Sequence, residues 1–362
     1  MDGDPLAGLD DDLAMHRAFV EDRDPVYART LDLLIPRIEG DLAERLRDAW
    51  REREFGPFYE RPLMILTALR EDVLHEGEGH PLWAGVGASD PDPGAVTAEG
   101  VETGFAADRD RVWRSLATRF VQTNDTSRGV AWMWPAALSA TVEPDRPIEI
   151  YDMGASAGLN LVADRLEWIW SDVTGAAVGP QVLPPIAARR GFDLRPLDLL
   201  DGDDERWLRA LIWPGQRERR ERFEQGLDAF RELAAAGELT PIETASVDDA
   251  ASELEPCRVG APRGLAYQTI MHDYLPAEIR ARYDEAMREW LARSEPGSAV
   301  WVEFEIAEGG EDAESVVALT AHVAAGGGDR TAVIARSSPH PRVLRTDDGE
   351  VAALRQLLTA GG

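Results

Sequence analysis

Lysine is absent from this chain: all 38 basic residues are arginines, set against 67 aspartates and glutamates, for a formal charge of -29. A surface of that sign repels a phosphate backbone on average, so nucleic acid is set aside as a substrate, although salt would screen the repulsion. The acidity fits a GC-rich coding sequence and a saline habitat better than a face built for one basic partner. Cysteine is nearly absent too. Cys257 stands alone, which excludes an internal disulfide framework. No apolar run approaches the roughly 20 residues of a membrane span. The first residues, Met1 to Asp12, are acidic and lack the basic-then-apolar pattern of a secretory signal. The expectation is a soluble cytoplasmic protein with no membrane partner. What the chain does have is a hydrophobic fraction of 44% and 11 tryptophans in 362 residues, enough for one large core with an appendage or for two domains.

Periodicity divides the chain. From Leu13 to Phe120 it reads as helices separated by breaks, with a Gly-, Pro- and Asp-rich loop from Gly85 to Gly100. This predicts a helical N-terminal segment or lid over 1–120 and an α/β domain over 121–362. In the second part, strands are predicted near 148–153, 186–192, 241–246, 264–271, 298–306, 331–337 and 341–346. Helices are predicted near 158–171, 204–236, 277–293 and 313–325. Alternation of this kind argues for a parallel sheet with crossover helices. Ser337-Ser-Pro-His-Pro341 then joins the last two strands as an antiparallel hairpin. The fold class expected is α/β, a Rossmann-like parallel sheet ending in an antiparallel hairpin. That outline is similar to the class I S-adenosylmethionine-dependent methyltransferases.

The most informative stretch is Ile148-Glu-Ile-Tyr-Asp-Met-Gly-Ala-Ser-Ala-Gly-Leu-Asn-Leu161. A buried strand brings Asp152 to its end, and small residues then let the backbone turn tightly and approach a ligand. The pattern fits a nucleoside-cofactor loop of D-x-G-x-S-x-G form or a G-x-S-x-G nucleophile elbow. A nucleoside also needs an acid at the next strand end, and Arg189-Arg-Gly-Phe-Asp193 supplies one. Asp193 stands 35 residues beyond Gly158, against about 20 in a plain dinucleotide fold, so an inserted loop is expected near 172–185. Asp248, after Ile242-Glu-Thr-Ala-Ser-Val, is the candidate for an adenine amino group, or else a helix cap. A fourth strand delivers His272, Asp273 and Tyr274, which could position or deprotonate an acceptor or make packing and structural contacts. In Val302-Glu-Phe-Glu-Ile306, Glu303 and Glu305 make an acidic face expected to be solvated. Upstream, Gln122 and Asn124 are polar groups without an obvious local task, open to ligand contact or loop hydrogen bonding.

Two motifs are discounted. His75-Glu-Gly-Glu-Gly-His80 has ligand residue types, but its glycines do not suit the rigid helix of a zinc H-E-x-x-H site, and no metal is expected. Arg217-Glu-Arg-Arg-Glu-Arg222 reads first as a solvated helix face with i,i+4 ion pairs, and second as an arginine contact to an anionic substrate.

Taken together, Gln122-Thr-Asn124, Gly154-Ala-Ser-Ala-Gly-Leu-Asn-Leu161, Arg190-Gly-Phe-Asp193 with Pro196-Leu-Asp198, and Trp213-Pro-Gly-Gln216 resemble the bacterial domain-of-unknown-function family 2332. The resemblance runs from about residue 118 to the C-terminus and is weaker in the helical part. Asp125 stands where glutamate is usual and Gly215 where an acid is usual. A methyltransferase-like fold is implied, but no activity comes with it. The leading expectation is S-adenosylmethionine-dependent methyl transfer to a small-molecule acceptor. Asp152, Gly154, Ser156, Gly158 and Asn160 would surround the donor's methionine and ribose, Asp193 and Asp248 its ribose and adenine, and His272, Asp273 and Tyr274 the acceptor. Ser156 in place of the loop's middle glycine narrows that approach. The alternatives are a non-catalytic protein binding an adenosine ligand, and a serine hydrolase built on Ser156 with His272 or His340 as base and Asp248 as orienter.

Overall fold

The computed structural model describes residues 4–359 apart from residues 123, 179–181, 308, 310, 311, 313, 314 and 327. It divides into two units. The first takes in Met1–Thr123 and a second segment, Asp198–Glu221. The second takes in Asn124–Leu197 and Arg222–Gly362.

The first unit is helical, with no strand among its described residues. Its helices include Leu9–Val20, Pro25–Leu34, Gly40–Ala49, Glu60–Glu76, Asp110–Thr118 and Gly202–Ala210. Local chemistry sets their starts. Asp24 caps Pro25–Leu34 by accepting from the Tyr27 N–H at 2.9 Å, and Pro25 occupies the first turn, where no N–H is needed. Glu60–Glu76 is buried along almost its whole length. Even its Arg70 lies inside, donating to the carbonyls of Val86 (3.2 Å), Arg209 (2.6 Å) and Ile212. The bonds to Arg209 and Ile212 satisfy carbonyl groups at and just past the end of helix Gly202–Ala210.

The second unit is a mixed α/β structure on one eight-stranded sheet. Its strands are β1 (Ile148–Met153), β2 (Ile186–Asp193), β3 (Glu243–Thr244), β4 (Arg263–Thr269), β5 (Ala299–Ile306), β6 (Val317–Ala324), β7 (Asp329–Ser337) and β8 (Arg345–Thr346). The order across the sheet is β3-β2-β1-β4-β5-β6-β7-β8. The first five pair in parallel and the last three are added antiparallel. Tyr151, Met153, Ala266 and Trp301 on one face share a core with Tyr283, Met287 and Trp290 of helix Ala277–Arg293. Because strand side chains alternate, Asp152 and its register partner Tyr267 fall on the other face.

Several elements differ from the sequence expectation. The stretch 158–171 is not an α-helix: it makes a 3-10 run, Leu159–Arg165, and then extends. The predicted helix 204–236 is broken at Trp213-Pro-Gly into Gly202–Ala210 and Arg217–Ala236, since proline cannot continue the hydrogen-bond ladder. Within 313–325, whose first two residues lie outside the described ones, the chain forms strand β6. Its Val, Leu and Thr suit a position buried between β5 and β7. The strands expected at 241–246 and 341–346 shrink to two residues each. The antiparallel end is therefore a run of hairpins from β5 to β8, rather than one hairpin closing a parallel sheet. No helix among the described residues is long and apolar enough to cross a membrane.

Candidate functional site

Strand order reverses between β1 and β4: the chain runs outward from β1 to β2 and β3, then returns to β4 on the other side. Open α/β sheets place ligands at such a switch point, outside the carboxyl ends of the strands. Gly154, Ser156 and Gly158 all have positive φ there, at 79°, 54° and 79°. For Ser156 this is an uncommon conformation that costs on the order of 1 kcal/mol. The two glycines are required by their neighbours. A Cβ on Gly154 would meet Met271 Sδ at 2.9 Å, and one on Gly158 would meet Ile242 Cδ1 at 2.8 Å.

Asp193 holds the turn in this shape. One of its carboxylate oxygens accepts from the Ser156 N–H and the other from the Arg195 N–H, each at 2.8 Å. Further on, Asp164 takes both arms of the buried Arg189 at 2.7 Å, and Trp132 donates to the Asn160 carbonyl at 2.8 Å. The backbone around the turn is thus pinned from three sides. The side chains it presents are not. Ser156 Oγ and Asn160 Oδ1 are buried and make no hydrogen bond among the described residues, nor do Asp152 Oδ2 and Tyr267 Oη, which face each other from neighbouring strands near enough to interact. Burial, with the Asp193 charge nearby, pushes the Asp152 carboxyl up to about 7, while the Tyr267 phenol opposes the rise. Orphaned polar atoms are costly in a folded interior, and a group of them at a strand end marks a place for a polar ligand or ordered water.

A second polar group lies at the ends of β4 and β5. Ile270, a β-branched residue at φ 50°, turns the chain out of β4 into the short 3-10 turn His272–Tyr274. Glu305 fastens that turn, accepting from the Met271 N–H at 2.9 Å and the His272 N–H at 3.4 Å. Burial pushes the Glu305 carboxyl up to about 7. Glu305 is therefore not a solvated residue, contrary to the sequence expectation; Glu303, likewise drawn inward, meets His322 Nε2 at 2.8 Å. His272 itself is buried. Burial opposes its protonation, but Asp284 and the glutamates outweigh this and raise its pKa.

Nε2 of His272 lies 3.3 Å from Asp284 Oδ1 and 3.9 Å from Glu303 Oε1, spacing that a divalent cation could bridge. The ring's lone pair is already used, however. Gln268 Oε1 accepts from Trp301 Nε1 at 2.7 Å and Tyr283 Oη at 2.5 Å. Since an indole only donates, the Gln268 amide nitrogen is the atom facing His272 Nε2 at 2.8 Å. A buried hydrogen-bond network therefore fits this group better than a metal centre. In the helical unit, Asp72, Glu76 and His80 also converge, but Arg109 is ion-paired with both carboxylates.

The structure thus brings Asp152, Gly154, Ser156, Gly158, Asn160 and Asp193 together around one turn, with His272 following the adjacent strand. Asp248 is separated from that row in role. It sits inside helix Val247–Ser252 rather than at a strand end, and its Oδ2 accepts from Arg282 Nε at 2.8 Å. Asp273 and Tyr274 share the short turn with His272. Gln122, in the helical unit, and Asn124, which opens the α/β unit, are both half-buried. Tyr267, Gln268 and Asp284 were not singled out from sequence. The signal for Tyr267 and Gln268 is the alternation in Ala266-Tyr-Gln-Thr269, which puts a phenol and an amide on opposite faces of a central strand.

A family model described as "Uncharacterized protein conserved in bacteria (DUF2332)" matches residues 17–345. No curated protein and no solved structure matches the chain.

Proposed function

We propose, from the premise that this chain belongs to the DUF2332 family and that the family brings no activity with it, that the β1 turn binds an adenosine-type methyl donor. On this reading the protein is an S-adenosylmethionine-dependent methyltransferase acting on a small-molecule acceptor, built on a Rossmann-like sheet. The observation that carries the proposal is the set of buried, unmatched polar atoms on Asp152, Ser156 and Asn160 beside a positive-φ turn at the switch point. The donor would bring a methyl group on a sulfonium, so the protein's task is alignment more than chemistry. Asp152, Ser156 and Asn160 would bind its polar edge. Asp193 would act by holding the turn, because both its oxygens already accept from backbone. The spaces over Gly154 and Gly158 are filled by Met271 and Ile242, which directs a ligand toward Ser156 instead. His272, whose Nε2 is engaged by Gln268 and lies 3.3 Å from Asp284, would position the acceptor at the end of the adjacent strand.

A serine hydrolase has one observation in its favour, the strained φ of Ser156. Against it, Ser156 Oγ has no hydrogen-bond partner among the described residues, so no histidine stands ready to take its proton, and His272 Nε2 is engaged by Gln268.

Calorimetric titration with S-adenosylmethionine and S-adenosylhomocysteine tests the proposal. Saturable binding is expected in the wild type, weakened at least tenfold by Asp152→Asn. Absence of binding to either compound overturns it, and labelling of Ser156 by a fluorophosphonate would put the hydrolase in its place. Binding without methyl transfer to any member of a small-molecule library would leave a ligand sensor.

A further inference from the structure

We infer that Arg222 anchors an anion-binding subsite in the α/β unit, one that takes a carboxylate or phosphate group of a small molecule. The subsite stands apart from the methyl-donor reading and does not depend on it.

Arg222 lies on helix Arg217–Ala236 and is 8% exposed, although five residues earlier Arg217 is solvated and paired with Glu221 at 2.8 Å. Among the described residues, it donates one hydrogen bond, from Nη1 to the Glu167 carbonyl at a long 3.4 Å. Nε and Nη2 are buried and have no hydrogen-bond partner among the described residues. These two nitrogens form the side of the guanidinium whose N–H groups run parallel, and that fork matches the two oxygens of a carboxylate or phosphate. The same chain shows the match elsewhere: Arg17 places Nε and Nη2 on the two oxygens of Asp32 at 2.6 and 3.0 Å.

The surroundings explain why no protein group fills the fork. Asp125 is the nearby carboxylate, and both its oxygens are taken. Oδ1 accepts from the Ser127 N–H at 2.9 Å and the Ser127 hydroxyl at 2.7 Å, while Oδ2 meets His340 Nδ1 at 2.6 Å. The other charged neighbours are Arg342, whose charge adds to burial in lowering the Arg222 pKa, and Glu167, which acts against them. Arg128, itself buried, donates to the Pro339 carbonyl within the same group of segments. In a chain of charge -29, Arg128 and Arg222 are buried here with Asp125 as the buried carboxylate, and both oxygens of Asp125 are already engaged. A buried charge without a partner is strongly destabilising. An oxyanion seated on Nε and Nη2 would remove the cost and supply two charge-assisted hydrogen bonds.

The full-length protein is titrated with orthophosphate and, separately, with malonate. Chloride holds ionic strength constant, and tryptophan fluorescence and melting temperature are followed. Trp170 is a local reporter, because its indole donates to the Ser127 carbonyl at 2.8 Å. A saturable response to either anion is expected, and the one bound more tightly identifies the phosphate or the carboxylate as the preferred group. In Arg222→Met the response falls at least tenfold, and without anion that variant melts no lower than the wild type. Arg222→Lys, which keeps the charge and loses the fork, binds at least fivefold more weakly. A wild type that responds only to ionic strength overturns the inference, as does an Arg222→Met or Arg222→Lys variant that binds as tightly as the wild type.

Discussion

The two units differ in how their unmatched buried polar atoms are grouped. In the helical unit, several buried charges are matched where they lie: Arg70 is spread over backbone carbonyls, and Glu71 accepts from the Ser115 hydroxyl at 2.5 Å with Arg111 at 3.5 Å. Its unmatched buried atoms include the ring nitrogens of His16, Tyr27 Oη, Trp50 Nε1 and Arg206 Nε, which belong to four different segments of the chain. Burial lowers the His16 pKa to about 4, so its ring stays uncharged. In the α/β unit the unmatched atoms include a carboxylate oxygen, a guanidinium edge, a hydroxyl and an amide oxygen, and three of the four crowd one turn. Matched burial builds a scaffold; convergent unmatched burial is a cost that a ligand can repay.

That contrast can be broken or sharpened by mutation. The largest effect is expected for Asp152→Asn. The folded carboxyl titrates near 7 and an unfolded one near 4, so the native state binds the proton more tightly. The stability this group contributes is therefore fully present below about pH 4 and is lost as pH rises toward 7. The variant should match the wild type at pH 4 and exceed it at pH 8 by up to about 4 kcal/mol, measured by urea unfolding at the two pH values. Equal stability at both would mean that Asp152 is not a buried, strained acid. In the helical unit the sign reverses: Arg70→Leu strips partners from three buried carbonyls and should cost about 3 kcal/mol at any pH between 5 and 8, by the same assay. The smallest effect is expected at the turn itself. Gly158→Ala must hold φ 79° and displace Ile242, at about 1–2 kcal/mol, with ligand affinity falling more than stability.

Much of this was legible in the sequence, for physical reasons. β1 and its turn were readable because only small residues permit that backbone, and helix Ala277–Arg293 because its apolar residues follow a helical period. β6 was read as a helix because Val316-Val-Ala-Leu-Thr-Ala-His-Val-Ala324 is apolar on both faces, and a run without alternation fits either structure. The acids at strand ends were legible as acids but not in their tasks. Whether a carboxylate faces a ligand, clamps a turn like Asp193 or answers an arginine like Asp248 depends on partners brought from far along the chain. Arg222 shows the same limit: the charge pattern around it reads first as a wet helix face and second as an arginine contact to an anion, and the fold shows which of its arginines is inside.

The Glu305 clamp has a mechanical corollary. The peptide it grips carries Met271, and the thioether of that residue rests in the hollow that Gly154 leaves by lacking a Cβ. Protonation at the tip of β5 would loosen a peptide that braces the tip of β1, with β4 between them as the lever. The carboxyl at the tip of β5 and the shape of the first turn are in this way joined through one sulfur atom, and a Cβ placed at position 154 would press against it at 2.9 Å.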